Sequence, residues 1–587
     1  MRQALVGLVA LVVVAACTSG RGRTGARPPL VTTGEQSGWT RTARYDEAIR
    51  LCRDFAVAYD GVRCDEIGRT VQDRPLLALR IARRPGLPVI YIQAGIHAGE
   101  IEGKDAGFTV LRDLLDGKVA PGALDAVSVV FVPVVNPDGH ERFGPNHRPN
   151  QRGPEEMGFR TNAARLNLNR DFMKADAPEM QAILGVLRGA DPVLLIDLHT
   201  TNGAKFEHDI SVITAPYAPR GDQLDETARA LSVHLQQRLT ALGHLPLPFY
   251  PSFIDADNPA SGFEHGEAPP RFSQYYAAAR ARLGILVETH SWRTYQERVE
   301  STYHTLQAVF EAAVGQARGW RAVADAASRA DAQLAGTSVP LTWKTTKTAR
   351  ELAFRGYAYE RRTSELTTGT WLVYDERTPQ VWTVPYLDEV EPAITIAVPR
   401  AGYIVDGGFA PVVAKLLAHH GITYERIVRE PRLPVEVYRA ARATFGAPYE
   451  GRTRATITGA WAPETRTLER GAIYVPVAQP LARLVVHLLE PTLPDSLAQW
   501  GHFNTVFERK EYMEAYVLEE EARAMLARDP ALQAAFDAAV AADPALAKSA
   551  ELRRDFFYRR HPAWDERVNL LPVYRVAQPP AVAPAAR

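Results

Sequence analysis

The chain has 587 residues, 46% of them hydrophobic and 23% charged. That is an ordinary globular composition, with material for two large domains or more. Lys plus Arg and Asp plus Glu are equal at 68 each, so no bulk charge draws the chain to nucleic acid or to an anionic membrane surface.

The first residues read as a targeting segment. Arg2 gives a positive start, Ala4 to Val14 is an apolar run too short to span a bilayer with ease, and Ala15 and Ala16 precede Cys17. Val14-Ala15-Ala16-Cys17 resembles the lipobox of bacterial lipoproteins. The resemblance implies a signal peptide over 1–16, cleavage before Cys17 and acylation of its thiol. With Thr18 rather than Asp next, it also implies the outer membrane, facing the periplasm. The alternative is a plain secretory signal with a coincidental Cys; on either reading the mature protein leaves the cytoplasm. Residues 17–40 are rich in Gly, Thr, Arg and Pro and read as a tether. Cys52 and Cys64, the two remaining cysteines, then lie in an oxidising compartment. They form either a disulfide closing a short loop or two separate buried thiols.

A helical pattern runs from Tyr45 to Ala58. Ile67 to Thr70 and Pro75 to Ile81 look like paired strands with a turn between them. Val89 to Ile92 is apolar and β-branched, bounded by Pro85-Gly86 and Pro88, and reads as a buried strand. It breaks at Gly95 and presents His97 and Glu100, with helical spacing from about Glu100 to Leu115. An imidazole and a carboxylate three residues apart can face one point across a turn, which suits two ligands of a zinc ion. Alone the pair is weak, because chance matches are expected in a chain this long. Further buried strands are expected at Val127 to Val135, Val193 to Leu198 and Leu283 to Val287. Helices are expected at Pro178 to Leu187 and Gln223 to Leu242. Strands alternating with helices argue for an α/β sheet covered on both faces, with ligand-binding residues beyond the strand ends.

Polar residues gather at those ends. Asn136-Pro137-Asp138-Gly139 is a turn signal. An Arg-bearing loop follows, with Arg142, Arg148, Arg152 and Arg160, then Leu166-Asn167-Leu168-Asn169-Arg170-Asp171-Phe172. The third strand ends in Asp197-Leu198-His199 and the fourth in Glu288-Thr289-His290. As an ordered set these resemble the zinc metallocarboxypeptidases of the carboxypeptidase A (funnelin) type, over about residues 45 to 310. The resemblance implies an eight-stranded mixed sheet with helices on both faces and one catalytic zinc.

Three protein ligands, His97, Glu100 and His199, would leave zinc an open position for water, the pattern of a catalytic site. Glu288 is placed to take the water proton and pass it to the leaving amine, and Asp197 to accept from a ligand His. Arg170 carries a fork of donors matched to a carboxylate, and Asn169 adds an amide. By resemblance these two hold the C-terminal carboxylate of a peptide. The family also uses an Arg to stabilise the oxyanion; Arg148 is the first candidate and Arg152, at the substrate, the second. His208, His265 and His290 have no partner at metal spacing and read as wall or surface residues. The sequence departs from the family in one place: the loop Asn258 to Phe272 has no Tyr where the family places a mobile one.

The expected organisation is a catalytic domain over 41–335 and an accessory α+β region over 336–587. The accessory region shows a helix from Thr305 to Leu334 leading in, and short alternating strands such as Leu352 to Tyr359 and Thr453 to Trp461. A small α/β unit spans 393–428, and a helical stretch runs from Glu519 to Arg560. No metal spacing, nucleophile motif or phosphate loop stands out there. The expected function is a lipid-anchored zinc carboxypeptidase trimming peptides in the cell envelope. Alternatives are a murein-peptide amidase, an aspartoacylase-like deacylase, and a non-catalytic envelope binding protein.

Overall fold

A computed structural model describes residues 28–427 and 429–581. The signal segment, Cys17 and the expected tether up to residue 27 lie outside the described residues. Nine short strands organise the first half: β1 Val62–Arg69, β2 Pro75–Ile81, β3 Val89–Ala94, β4 Ser128–Val132, β5 Leu194–Thr200, β6 Ile210–Ala215, β7 Pro246–Leu247, β8 Phe263–Glu264 and β9 Leu283–Thr289. Eight of them form one mixed sheet in the order β1-β2-β4-β3-β5-β9-β6-β7. Its centre, β4-β3-β5-β9, is parallel. This is the expected fold class.

Parallel central strands are buried on both faces, and their residues alternate between two cores. Ile90, Ile92, Leu194, Ile196, Ile285 and Val287 face one core with the helices Tyr45–Ala58, Glu102–Leu115 and Tyr295–Asp331. Tyr91 and Leu195 face the other, against the helix Pro178–Ala190. That second core does not stop at the first half. It continues into Tyr403, Leu417, Val475, Val485 and Leu571, so the region after 335 is built onto the sheet through a shared apolar layer.

The second half carries β10 Ser338–Thr345, β11 Arg350–Thr363, β12 Thr370–Leu387, β13 Val390–Ala397, β14 Gly402–Val405, β15 Glu425–Arg426, β16 Arg432–Tyr449, β17 Arg452–Thr467, β18 Ile473–Pro476 and β19 Leu570–Val576. The short strands expected at 352–359 and 453–461 are parts of two long antiparallel hairpins, β11–β12 and β16–β17. The alternation detected by the sequence covers only the segments that pack on something. β12 also adds to β8 in parallel, which fastens the first hairpin beside the strand ends.

Two other expectations change. Residues 28–40 are docked, not a free tether: Leu30 and Thr32 are buried, Glu35 pairs with Arg112 at 2.7 Å, and Thr33 donates to Glu47. A one-turn helix, Thr33–Gln36, closed by a capping box, makes these contacts possible. Asn136-Pro137-Asp138-Gly139 is a helix start, not a free turn: Asn136 Oδ1 caps the Gly139 amide and Pro137 occupies the first turn. Cys52 and Cys64 are bonded to each other, joining the helix Tyr45–Ala58 to β1. No helix among the described residues is long and apolar enough to cross a membrane.

Candidate metal centre and active-site cleft

β3 ends at Ala94, and Gly95 turns the chain with φ +63°. The backbone then bends so that the Glu100 amide donates to the His97 carbonyl, before the helix Glu102–Leu115 begins. This bend brings the two side chains to one point. Two strands away in sequence, β5 lies parallel to β3 and delivers His199 from its carboxyl end. His97 Nδ1 is 3.1 Å from Glu100 Oε1, and His199 Nδ1 is 2.9 Å from Glu100 Oε2. All three are buried, and one ligand atom from each lies within 4.8 Å of the others.

The far ring nitrogens are held. His97 Nε2 meets Asn167 Oδ1 at 3.0 Å, and His199 Nε2 lies 3.0 Å from Asp197 Oδ2 as an ion-pair contact without hydrogen-bond geometry. Asp197 and His199 are two apart on β5, so they share a face; this is the contact expected of Asp197. Both Nδ1 atoms therefore converge on Glu100, and that of His97 is buried without a hydrogen-bond partner. Two imidazoles and a carboxylate directed at one point, each braced from behind, fit a zinc ion with a further position open to the cleft.

The electrostatics agree with that donor set. Burial lowers the His97 pKa to about 4, keeping it in its neutral, ligating form. Burial alone would raise Glu100, but Arg148 and the two imidazoles hold it well below the usual carboxylate range. Burial opposes charge on His199, yet Asp197 and Glu100 raise its pKa well above the usual value. A cation at Nδ1 would displace that proton.

Glu288 stands on β9 directly beside His199, the two being register partners. Its Oε2 is buried and unpartnered. Burial pushes the carboxyl up to about 8, against the pull of the neighbouring His199. A cleft of about 380 Å³ opens here, and its walls include His97, Glu100, Arg160, Asn169, Arg170 and Glu288. Asn169 Oδ1 is buried and unpartnered. The Arg170 guanidinium lies 4.4 Å over the Phe272 ring.

The arginines sort differently from expectation. Arg148 is buried behind the metal-ligating carboxylate, 2.8 Å from Glu100 Oε1, and donates to Asn202. Arg152 is outside the cleft walls; it pairs with Glu376 of β12 at 2.7 Å and is 44% exposed. A substrate role for Arg152 is thus withdrawn: its charge is used to hold the first hairpin. Arg160 takes the place facing the cleft. Nothing in the spacing of four arginines in one loop distinguishes them; which one turns inward is decided by how the loop packs.

Tyr250 also lines the cleft, its hydroxyl accepting the Asn202 amide at 3.4 Å. It was missed because it precedes the loop 258–272 searched for a tyrosine. Asn167 was missed as a brace for His97; its only sequence signal is its alternation with Asn169. His265 is a wall residue of the cleft, His290 stacks on Phe206 at 4.0 Å, and His208 packs against Phe354 at 4.6 Å. None joins the metal cluster.

Residues 49–240 match the family model described as zinc carboxypeptidase, peptidase family M14. This part of the chain is similar to zinc carboxypeptidases. Carboxypeptidase E of Caenorhabditis elegans is 27% identical over 145 residues, which are 23% of this chain and 29% of that protein; the match thus spans under a third of the curated relative's length. Among solved structures, a metallo-carboxypeptidase from Burkholderia cenocepacia is 18% identical, with 45% of this chain and 68% of that one covered and a TM-score of 0.35. Carboxypeptidase A from Helicoverpa armigera is 15% identical, with 48% and 75% covered and a TM-score of 0.36. His97, Glu100, Asn169, Arg170 and Glu288 line one cleft, and His199 joins it through the His97–Glu100 cluster.

Proposed function

We propose that the protein is a zinc-dependent carboxypeptidase that removes C-terminal residues from peptides in the cell envelope. The observation that carries this reading is the convergence of His97, Glu100 and His199 beside a buried Glu288 with an unpartnered oxygen, in a cleft also lined by Asn169 and Arg170. His97, Glu100 and His199 would hold a zinc ion, which would supply Lewis acidity for the scissile carbonyl and for an attacking water. Glu288 takes the proton of the attacking water and delivers it to the leaving amine. Arg160 faces the carbonyl as charge develops on its oxygen, a contribution typically of about 10²–10³ in rate. Arg170 and Asn169 receive the terminal carboxylate, which favours an exopeptidase over an amidase acting on internal amide bonds. The envelope address rests on the lipobox-like segment ending at Cys17, and with it a lipid anchor in the outer membrane.

The test is a panel of synthetic peptides with free, amidated and D-amino-acid C-termini, run with and without a chelator. The expected result is chelator-sensitive release of single residues from free C-termini only. Equal cleavage of amidated peptides, or cleavage unaffected by metal removal, would overturn the reading.

A further inference from the structure

The second half of the chain reaches back to the active site through one short turn. β16 and β17 pair up to Tyr449 and Arg452, leaving Glu450 and Gly451 as a two-residue connection. Both have positive φ, +50° and +77°, as the primed hairpin turns require. Glycine suits its place. Glutamate does not: the first position of such a turn favours Asn, Asp or Gly, and a longer side chain is strained there. On the β16 side, residues 444–449 leading to the turn are all exposed.

The contacts at the tip account for the odd residue. Glu450 Oε2 accepts the Asn167 backbone N–H at 2.7 Å. Asn167 in turn holds His97 through its side-chain oxygen and also accepts the Asn169 N–H. One residue earlier, the Tyr449 hydroxyl accepts Arg170 Nε–H at 3.2 Å, while Arg170 Nη1 donates to the Asn169 carbonyl at 2.8 Å. Arg170 is therefore fixed at Nε by Tyr449, at Nη1 by its neighbour and across its face by Phe272. Two residues later, Arg452 grips Asp176 with two hydrogen bonds, at 2.7 and 2.5 Å. The Tyr449 ring is itself stacked on Trp500 at 6.0 Å. Gly451 approaches Leu166 closely enough that a Cβ would sit 3.2 Å from its side chain.

We infer that the β16–β17 tip is part of the machinery of this cleft, with Tyr449 and Glu450 as positioning residues. Tyr449 orients the guanidinium that receives the substrate carboxylate. Glu450 fixes the Asn167–Asn169 segment that braces His97 and carries the carboxylate-binding amide. The inference rests on the carboxypeptidase reading and adds that the domain matched by the family model is incomplete without residues some 280 positions downstream. It also explains why a strained glutamate occupies a turn that asparagine would fill more easily.

Three variants of the full-length zinc-loaded protein test it. Glu450→Asn keeps a good turn former but is one methylene too short to reach Asn167; Glu450→Gln keeps the reach and an acceptor; Tyr449→Phe keeps the stacking on Trp500. The readouts are melting temperature, zinc retention against a chelator, and affinity for a free-acid peptide and its amidated twin, measured in the Glu288→Gln background so that no turnover intervenes. Glu450→Asn should melt no lower than the parent yet lose zinc roughly 10-fold more readily, with Glu450→Gln restoring most of the loss. Tyr449→Phe should weaken the free-acid peptide about 5- to 10-fold and leave the amidated twin unchanged. A purely structural hairpin would give the opposite: a lowered melting temperature in Glu450→Asn with zinc retention and peptide affinity untouched. If the parent binds free and amidated peptides equally, the carboxypeptidase reading and the role of Tyr449 fall together, and zinc retention alone decides for Glu450.

Discussion

At the scale of single residues, the site works by division of labour among groups of the same kind. Three arginines of one loop separate: Arg148 lies 2.8 Å from Glu100, Arg152 pairs with Glu376, and Arg160, 3.5 Å from the same Glu100 oxygen, also lines the cleft. Arg160→Ala should therefore lower kcat about 10²-fold or more with zinc retained, because it removes a donor to the oxyanion. Arg148→Ala should instead weaken zinc binding, because it releases the ligand carboxylate it steadies. Steady-state kinetics with metal analysis on both variants separates the two; identical behaviour would return Arg148 to the oxyanion role first expected of it. His199 and Glu288 were legible in the sequence because each sits near the end of a buried strand, and His97 and Glu100 because they follow the glycine that breaks another. Asn167, Arg160 and Tyr250 were not, because their direction is set by loop packing, which leaves no periodic trace.

At the scale of elements, the sequence reading succeeded where apolar periodicity is strong. The strands around 90, 130, 195 and 285 and the helix Tyr45–Ala58 are where they were expected. It missed β6 to β8, which are short or carry polar residues, and it cut the two long hairpins down to their packed segments. The loop before the helix Ser273–Ala279 illustrates what such reading cannot reach. Glu267 accepts the Tyr217 and Ala218 amides, and burial, only partly opposed by those amides and by Arg220 and Arg483, raises its pKa to about 7. A carboxyl raised on folding stabilises the fold fully below its unfolded pKa, and that contribution is lost as pH rises through the folded value. Between about pH 4.5 and 7 this group should make the protein progressively less stable. Glu267→Gln keeps an acceptor and should raise the melting temperature by a few degrees at pH 8 while changing little at pH 4.5. An equal shift at both values would show that ionisation of Glu267 is not responsible.

At the scale of the whole molecule, the two halves share a core and a few buried ion pairs. Asp331, at the end of the helix Tyr295–Asp331, receives Arg220 from the first half at 3.0 Å and Arg483 from the second at 2.8 Å. Asp331→Ala would leave two buried guanidinium groups short of their counter-charge, at a cost on the order of 3 kcal/mol. Denaturant unfolding should then show one coincident transition displaced to lower concentration; displacement of only part of the signal would mean that the halves unfold independently. The β11–β12 hairpin is anchored at Glu376 to Arg152 and the β16–β17 hairpin to the 166–176 loop, so two loops of the first half are held from the second. The most direct measurement for the whole interpretation is mass spectrometry of a free-acid peptide incubated with the zinc-loaded protein and with Glu288→Gln, each with its metal content determined. The expected result is stepwise loss of C-terminal residues with the parent protein and an intact peptide with Glu288→Gln, both holding one zinc per chain. Trimming by Glu288→Gln at the parental rate, or a parent protein that holds no zinc at His97, Glu100 and His199, would contradict it.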